Sequence, residues 1–422
     1  MDTEKLAELR FKKYEATQCR ICKSTNLYNF LSLDSMPIPN GFLFKEELEK
    51  HEPRYPLGAN VCKSCWMVQL THTVPPELMF KNYVYIPSTS STMLSHFKSM
   101  ALQLVEKLNL KSSDLVMDIG SNEGTLLGFF KEMGTHVLGV DPASNLAEVA
   151  RRRGINTIDT FFTAALAKEI ADEGINPKVI TATNVVAHMN DLDDLCLGIR
   201  ALLHKEGIFS MEFPYLLDLI EKNEFDTIYH EHLSYLSIHP LVQLFDRYQL
   251  QIVDVQRFAI HGGSIRVFVA KKESQHRQSR AVQECLAAEI ENGLNKKETY
   301  DRFAERVKEI KTVLMSKLKE LRAQGKKIIG YGASAKGNVL LNYCEVTTDL
   351  VEYMVDSISH KQGKLTPGTH IPIYPESKMA DDRPDYALLL AWNFKDEILK
   401  KQADFRAKGG KFIVPIPQVH IE

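Results

Sequence analysis

The 422-residue sequence has no apolar run that approaches the length needed to cross a bilayer as a helix. It also has almost no net charge. Its 52 Lys and Arg stand against 54 Asp and Glu, a balance of −2, so nothing draws the chain to nucleic acid or to an anionic membrane surface. The first ten residues, Met1-Asp-Thr-Glu-Lys-Leu-Ala-Glu-Leu-Arg10, lack the apolar centre of a signal peptide. A reducing, cytoplasmic setting is therefore expected, where disulfides are not. What is present is ordinary for a globular chain: 44% apolar and 25% charged residues, with length for two or three domains. Domains that bury one another predict a monomer or a weak dimer.

Cysteine is sparse, but it is patterned. Of the seven, four form the pairs Cys19-Arg-Ile-Cys22 and Cys62-Lys-Ser-Cys65. Two Cys-x-x-Cys pairs match a closed tetrahedral zinc site, in which each pair makes its own turn and the loop between them can vary. The alternative, redox pairs, lacks any surrounding thioredoxin-like βαβ pattern. A closed four-thiolate site has no open position, so structural Zn2+ is expected and metal chemistry is not. Pro37, Pro39, Pro53 and Pro56 mark this front region as loops and short strands. Cys196, Cys285 and Cys344 are isolated in helix-like segments and read as small core residues.

After a tyrosine- and hydroxyl-rich connection (Tyr83, Tyr85, Ser88, Ser90), Leu94, Phe97, Ala101, Leu104 and Leu108 recur at helical spacing. Then Leu115-Val-Met-Asp118-Ile-Gly120-Ser-Asn122-Glu123-Gly124 reads as strand, tight turn and helix start. The next strand, ending at Val140, is followed by Asp141-Pro142, and an acid about 20 residues past a glycine loop is where ribose hydroxyls are held in such folds. A carboxylate at Asp118 would repel a pyrophosphate but accept from an ammonium, which favours S-adenosylmethionine over a dinucleotide. Strands over Lys178–Asn184 and Gly207–Phe213 extend the α/β alternation, with helices over Ser144–Arg153, Thr163–Asp172 and Leu192–Leu203. The end of the first of these strands, Asn184-Val-Val-Ala-His188, faces the ligand crevice of such a sheet.

Tyr229-His230-Glu231-His232 is the densest proton-handling stretch, in a segment that reads as too polar for the core. Leu250–Val255 and Gly263–Val269 read as closing strands, with Arg266 placed to meet a diphosphate or to form a surface ion pair. Gln278 to Arg322 reads as helical, with an apolar stripe of Phe303, Val307, Ile310, Leu314, Leu318 and Leu321. Lys327-Ile-Ile-Gly330-Tyr-Gly332-Ala-Ser334-Ala-Lys336-Gly337 opens a second strand–loop–helix unit, with Asp356 as its strand-end acid and later strands at Tyr386–Ala391 and Lys411–Pro415.

Taken together these motifs resemble the S-adenosylmethionine-dependent C-methyltransferases of nucleotide-linked deoxysugars, which methylate C3 of a 4-keto sugar. The resemblance runs through the cysteine pairs, Asp-Ile-Gly-Ser-Asn-Glu-Gly, Gly-Val-Asp-Pro-Ala, Asn-Val-Val-Ala-His, Tyr-His-Glu-His, Ile260-His-Gly262-Gly263-Ser264-Ile-Arg266 and Gly-Ala-Ser-Ala-Lys-Gly. Glu123 stands where many members carry Asp. The resemblance implies an α/β chain of three units: a zinc-binding module (1–85), a Rossmann-like methyltransferase domain (86–275), and a helical bridge with a second Rossmann-like domain (276–422). It implies zinc on Cys19, Cys22, Cys62 and Cys65. It places the cofactor at Asp118, Gly120, Asn122, Gly124, Asp141, Pro142 and Asn184. It makes His232 the base, with Tyr229, Glu231, His188 and the linker residue Tyr83 around it. Tyr85, Arg266 and Lys336 would hold a nucleotide sugar, expected to be dTDP-linked. The second glycine loop would be structural, helping to close the cleft. Two alternatives remain at this point: an NAD-dependent sugar-nucleotide oxidoreductase using that loop, and a zinc-bearing scaffold without catalysis.

Overall fold

In this computed structural model the chain is described over residues 11–75, 79 and 91–422. The boundary expected at 85, and Tyr83 and Tyr85 with it, lie outside the described residues. The front module is an antiparallel sheet of β1 (Leu27–Met36), β2 (Tyr55–Cys62) and β3 (Val68–Leu70). The two cysteine pairs sit on matching turns. Lys23 N donates to Cys19 O and Trp66 N donates to Cys62 O, with Lys23 and Trp66 both in the left-handed region at φ 61° and 64°.

The middle sheet contains β4 (Leu115–Ile119), β5 (His136–Val140), β6 (Thr157–Ile158), β7 (Val179–Thr183), β8 (Ile208–Pro214), β10 (Leu250–Phe258) and β11 (Ser264–Lys271), in the order 10-11-8-7-4-5-6. Its first five strands are parallel, and β10 and β11 are antiparallel additions. The order reverses between β4 and β7, the switch point at which such sheets bind ligands beyond their strand ends. The expected helices run Ser144–Arg152, Ala164–Asp172 and Leu192–Leu202. Thr163 and Asp191 start the latter two by accepting from backbone amides of the first turn.

One strand breaks the expected partition. β9 (Ser234–Tyr235), between β8 and β10 in sequence, joins the front sheet by pairing with β3, Val68 opposite Tyr235 and Gln69 opposite Ser234. This pairing draws the preceding Tyr229–His232 stretch inward. His230, Glu231 and His232 are all buried, so a segment read as too polar for the core lies at the junction of the units.

The helical run also differs from its expectation. It is two helices, Arg280–Glu291 and Lys297–Ala323. Gly293, at φ 72°, ends the first, and Leu294 N closes back on Glu289 O. The apolar stripe of the second helix is buried as expected, and Phe303 and Tyr300 pack on Phe30 of β1. The last unit orders its strands β14 (Ile373–Tyr374), β13 (Met354–Val355), β12 (Ile328–Tyr331), β15 (Tyr386–Leu389), β16 (Lys411–Val414) and β17 (His420–Ile421), parallel except for β17. Cys196, Cys285 and Cys344 are buried, as read from the sequence. No helix among the described residues is long and apolar enough to cross a membrane.

Candidate active site

The four paired cysteines converge as expected. Their sulfurs lie within 4.8 Å of one another, with Cys19 to Cys65 and Cys22 to Cys62 each at 3.5 Å. Four soft donors in one small, largely buried cluster fit a tetrahedral zinc ion, which would staple the two turns together.

The residues expected to hold the cofactor meet at the β4/β7 switch point. Gly120 takes φ 69°, and a Cβ there would come within 2.3 Å of Val185 Cγ2, so the turn after β4 admits only glycine. Asp141 is clamped by two backbone donors, Asn122 N to Oδ2 and Ala143 N to Oδ1, each 2.8 Å. Asp118 accepts from Thr181 Oγ1 at 2.6 Å. Burial pushes the Asp118 carboxyl up to about 7, against the lowering effect of that hydrogen bond, and it raises Asp141 as well. Ser121 Oγ and Asn184 Oδ1 are buried without a hydrogen-bond partner among the described residues. Unmet polar atoms beside a carboxylate with no cationic partner among the described residues suit the ammonium and ribose of S-adenosylmethionine. Affinity for S-adenosylmethionine is expected to fall below pH 7, by up to about tenfold per pH unit, as Asp118 takes a proton and loses its attraction for the ammonium. Titration calorimetry at pH 6 and pH 8 measures this, and Asp118→Asn should bind weakly with a flat pH response.

The same cleft, about 1240 Å³, runs on to the buried Tyr229–His232 stretch and to the C-terminal unit. Tyr229, Glu231, His232 and His188 line it with Gly120, Asn122, Asp141, Pro142 and Asn184. His232 Nδ1 lies 3.1 Å from Thr227 O, so its hydrogen is donated there and Nε2 carries the lone pair. The Tyr229 hydroxyl is 2.9 Å from that Nε2. His188, in a 3₁₀ turn, stacks on His232 with ring centres 5.1 Å apart. Burial drives the His188 imidazole down to about 4, so it is neutral at physiological pH. Glu231 Oε1 accepts from Asn40 Nδ2 of the front module at 2.6 Å. His230 turns away from the cleft, with Nε2 at 3.2 Å from Tyr55 O.

From the last unit, Ser334, Lys336 and Lys361 line the cleft. Lys336 Nζ stands 4.8 Å from the Trp392 ring centre, and Trp392 Nε1 donates to Asp226 Oδ2 at 2.6 Å. Burial lifts Asp226 to about 6 and Glu224 to about 7, and the Lys336 charge opposes both shifts. Asp356 repeats the Asp141 clamp, accepting from Ala333 N and Ile358 N at 2.8 Å each. Here, however, Lys361 Nζ sits beside it, 3.5 Å from Oδ2 and 2.8 Å from Ala333 O.

Arg266 is not where the sequence reading put it. It is 1% exposed, absent from the cleft lining, and forked onto Glu212 at 2.9 and 2.7 Å, with Gln103 Oε1 accepting from Nη1, while His96 Nε2 donates to the other oxygen of Glu212 at 2.7 Å. β11 lies beside β8, with Arg266 opposite Glu212, so the guanidinium meets a carboxylate inside the domain and cannot reach a diphosphate. Among the cleft-lining residues, sequence reasoning missed Asn40 and Lys361. Asn40 carried a faint signal, an amide directly after Pro37-Ile-Pro39; Lys361 carried none.

Over 404 residues the chain is 38% identical to the C-methyltransferase NovU of Streptomyces niveus, and the alignment covers 96% of each protein. The chain belongs to this C-methyltransferase family. Its segments match three family models: a zinc-binding domain (19–80), a methyltransferase domain (93–255) and a C-methyltransferase C-terminal domain (259–417). It is also similar to two solved structures. One is the magnesium protoporphyrin IX methyltransferase ChlM of Synechocystis PCC 6803 with bound SAM (13% identity, TM-score 0.33, 42% of this chain and 79% of that one). The other is the plantazolicin methyltransferase BpumL in complex with SAH (16%, 0.34, 43% and 83%). As a member of the C-methyltransferase family with a methyltransferase domain, the chain takes S-adenosylmethionine as methyl donor, and its four clustered cysteines suit a zinc ion. The oxidoreductase and scaffold alternatives are left without support.

Proposed function

We propose that the acceptor is a nucleotide-linked 4-keto-deoxysugar, dTDP-linked, and that the methyl group goes to its C3 through an enolate. The observation that carries this reading is the tautomer of His232. With Nδ1–H held by Thr227 O, Nε2 is the basic nitrogen of a ring that lines the cleft shared by the proposed cofactor cradle and the C-terminal unit. A C3 hydrogen beside a C4 ketone is acidic because the electron pair left behind spreads onto the ketone oxygen. Nε2 takes that proton, and the Thr227 carbonyl steadies the imidazolium. In the resting enzyme the Tyr229 hydroxyl donates to Nε2; as the substrate enters it turns from Nε2, freeing the lone pair for the C3 proton, and donates instead to the developing enolate oxygen. S-adenosylmethionine supplies an electrophilic methyl carried on a sulfonium. Neutral His188 packs against His232 and fixes its plane. Lys336, and Tyr85 of the linker, would hold the diphosphate and sugar, and Tyr83 would complete the pocket. Arg266 has no part in this.

The test is incubation with 13C-methyl S-adenosylmethionine and a panel of sugar nucleotides, 4-keto and 4-hydroxy, with NMR of the products. A labelled methyl on C3 of a 4-keto substrate is expected. A methyl on oxygen or nitrogen, or equal turnover of 4-hydroxy sugars, would end the proposal.

A further inference from the structure

Three contacts of the front module reach the Tyr229–His232 end of the cleft. First, β9 owes its place in a sheet to β3, and Leu70 N donates to Leu233 O at 3.1 Å, one residue beyond His232. Second, Tyr55 O of β2 faces His230 Nε2. Third, Asn40 lines the cleft and donates to Glu231. The Asn40 loop is itself held from the other side. Asn338, 1% exposed and two residues past Lys336, donates Nδ2 to Pro39 O at 2.7 Å. Asn40 therefore stands where all three units meet.

We propose that the metal-binding module is a working part of the active site, with Asn40 as the positioning residue that keeps Glu231 oriented on the cleft wall. This rests on the reading above, in which Tyr229 to His232 face the substrate. A carboxylate at 2% exposure has little water to hold it, so a fixed donor decides where its oxygens point. An amide suits that task because it donates without carrying charge or releasing a proton. The two-residue strand β9 is too short to be ordered by itself. Its register depends on β3, and β3 follows directly on the Cys62–Cys65 turn that a bound metal would close.

The experiment has two arms. In the first, the zinc-loaded full chain is compared by hydrogen exchange with the chain stripped by a chelator. Faster exchange is expected over 55–70 and 229–236, while 115–127 stays protected and the S-adenosylmethionine Kd moves by less than about threefold. Unchanged protection over 229–236 in metal-free protein would overturn the proposal, whether or not an acceptor is known. In the second arm, Asn40→Ala and Asn40→Asp are assayed on the metal-loaded enzyme with the 4-keto sugar nucleotide that the panel identifies. Asn40→Ala should lower kcat about 10- to 100-fold with little change in KM for S-adenosylmethionine. Asn40→Asp sets a second carboxylate against Glu231, close to Tyr229, His232 and His188, and one of the two acids must then take a proton. Its pH–rate profile should gain a limb absent from both wild type and Asn40→Ala. Rates within twofold of wild type and an unaltered profile in both variants would refute the role of Asn40. If stripping unfolds the chain, this arm decides.

Discussion

Replacing His232 by alanine should lower methyl transfer by about 10²- to 10⁴-fold, the usual contribution of a positioned general base. Binding of S-adenosylmethionine should be unchanged, because the residues proposed to hold it, Asp118, Gly120 and Asp141, are set by β4 and β5, not by the 229–232 stretch. The cause is specific. Thr227 O fixes Nδ1 as the protonated nitrogen, so the lone pair on Nε2 disappears with the ring. The informative measurement is deuterium exchange at C3 of the proposed 4-keto substrate in D2O, in the presence of S-adenosylhomocysteine. Exchange should be lost with the methylation. An enzyme that still exchanges at the wild-type rate after His232→Ala takes the proton elsewhere.

Arg266→Ala should cost about 3–5 kcal/mol of stability at neutral pH, the typical penalty for leaving one member of a buried ion pair alone. Burial by itself would raise the pKa of Glu212. The His96 hydrogen bond and the Arg266 charge outweigh it and hold the carboxyl below its ordinary value. In wild type this folded-state pKa lies under the unfolded one. The pair therefore stabilises above the unfolded carboxylate pKa and loses that contribution as pH falls through the folded value. Without Arg266 the sign reverses, since burial now dominates and the variant recovers stability as Glu212 takes a proton. Urea unfolding at pH 7.5 and pH 5 should show the gap between the two proteins narrowing at the lower pH. Replacing both partners, Glu212→Gln with Arg266→Met, should restore much of the loss. The cofactor site should feel Arg266→Ala too, because Asn184 N donates to Glu212 O at 2.8 Å. A gap that does not change with pH would mean the pair is not what Arg266 contributes.

Much of this was legible because its signals are local. The Cys-x-x-Cys turns, the glycine after β4, and the strand-end acids Asp141 and Asp356 are set within a few residues of chain, by backbone geometry that only certain side chains permit. The Tyr229–His232 cluster was visible as composition, yet its burial was not, since polar residues enter a core only when distant partners satisfy them. The two linker tyrosines lie outside the described residues and stay with the proposal.

The sequence alone determined that the chain has a module built on two cysteine pairs, a methyltransferase-type α/β domain and a second α/β unit, because periodicity and turn chemistry act over short stretches. Tertiary structure alone decided that Arg266 serves the domain and not a diphosphate. It also decided that β9 crosses to the front sheet and that Asn40 meets Glu231 from 191 residues away. Those outcomes depend on which surfaces meet when the sheets pack, and no local pattern encodes that meeting.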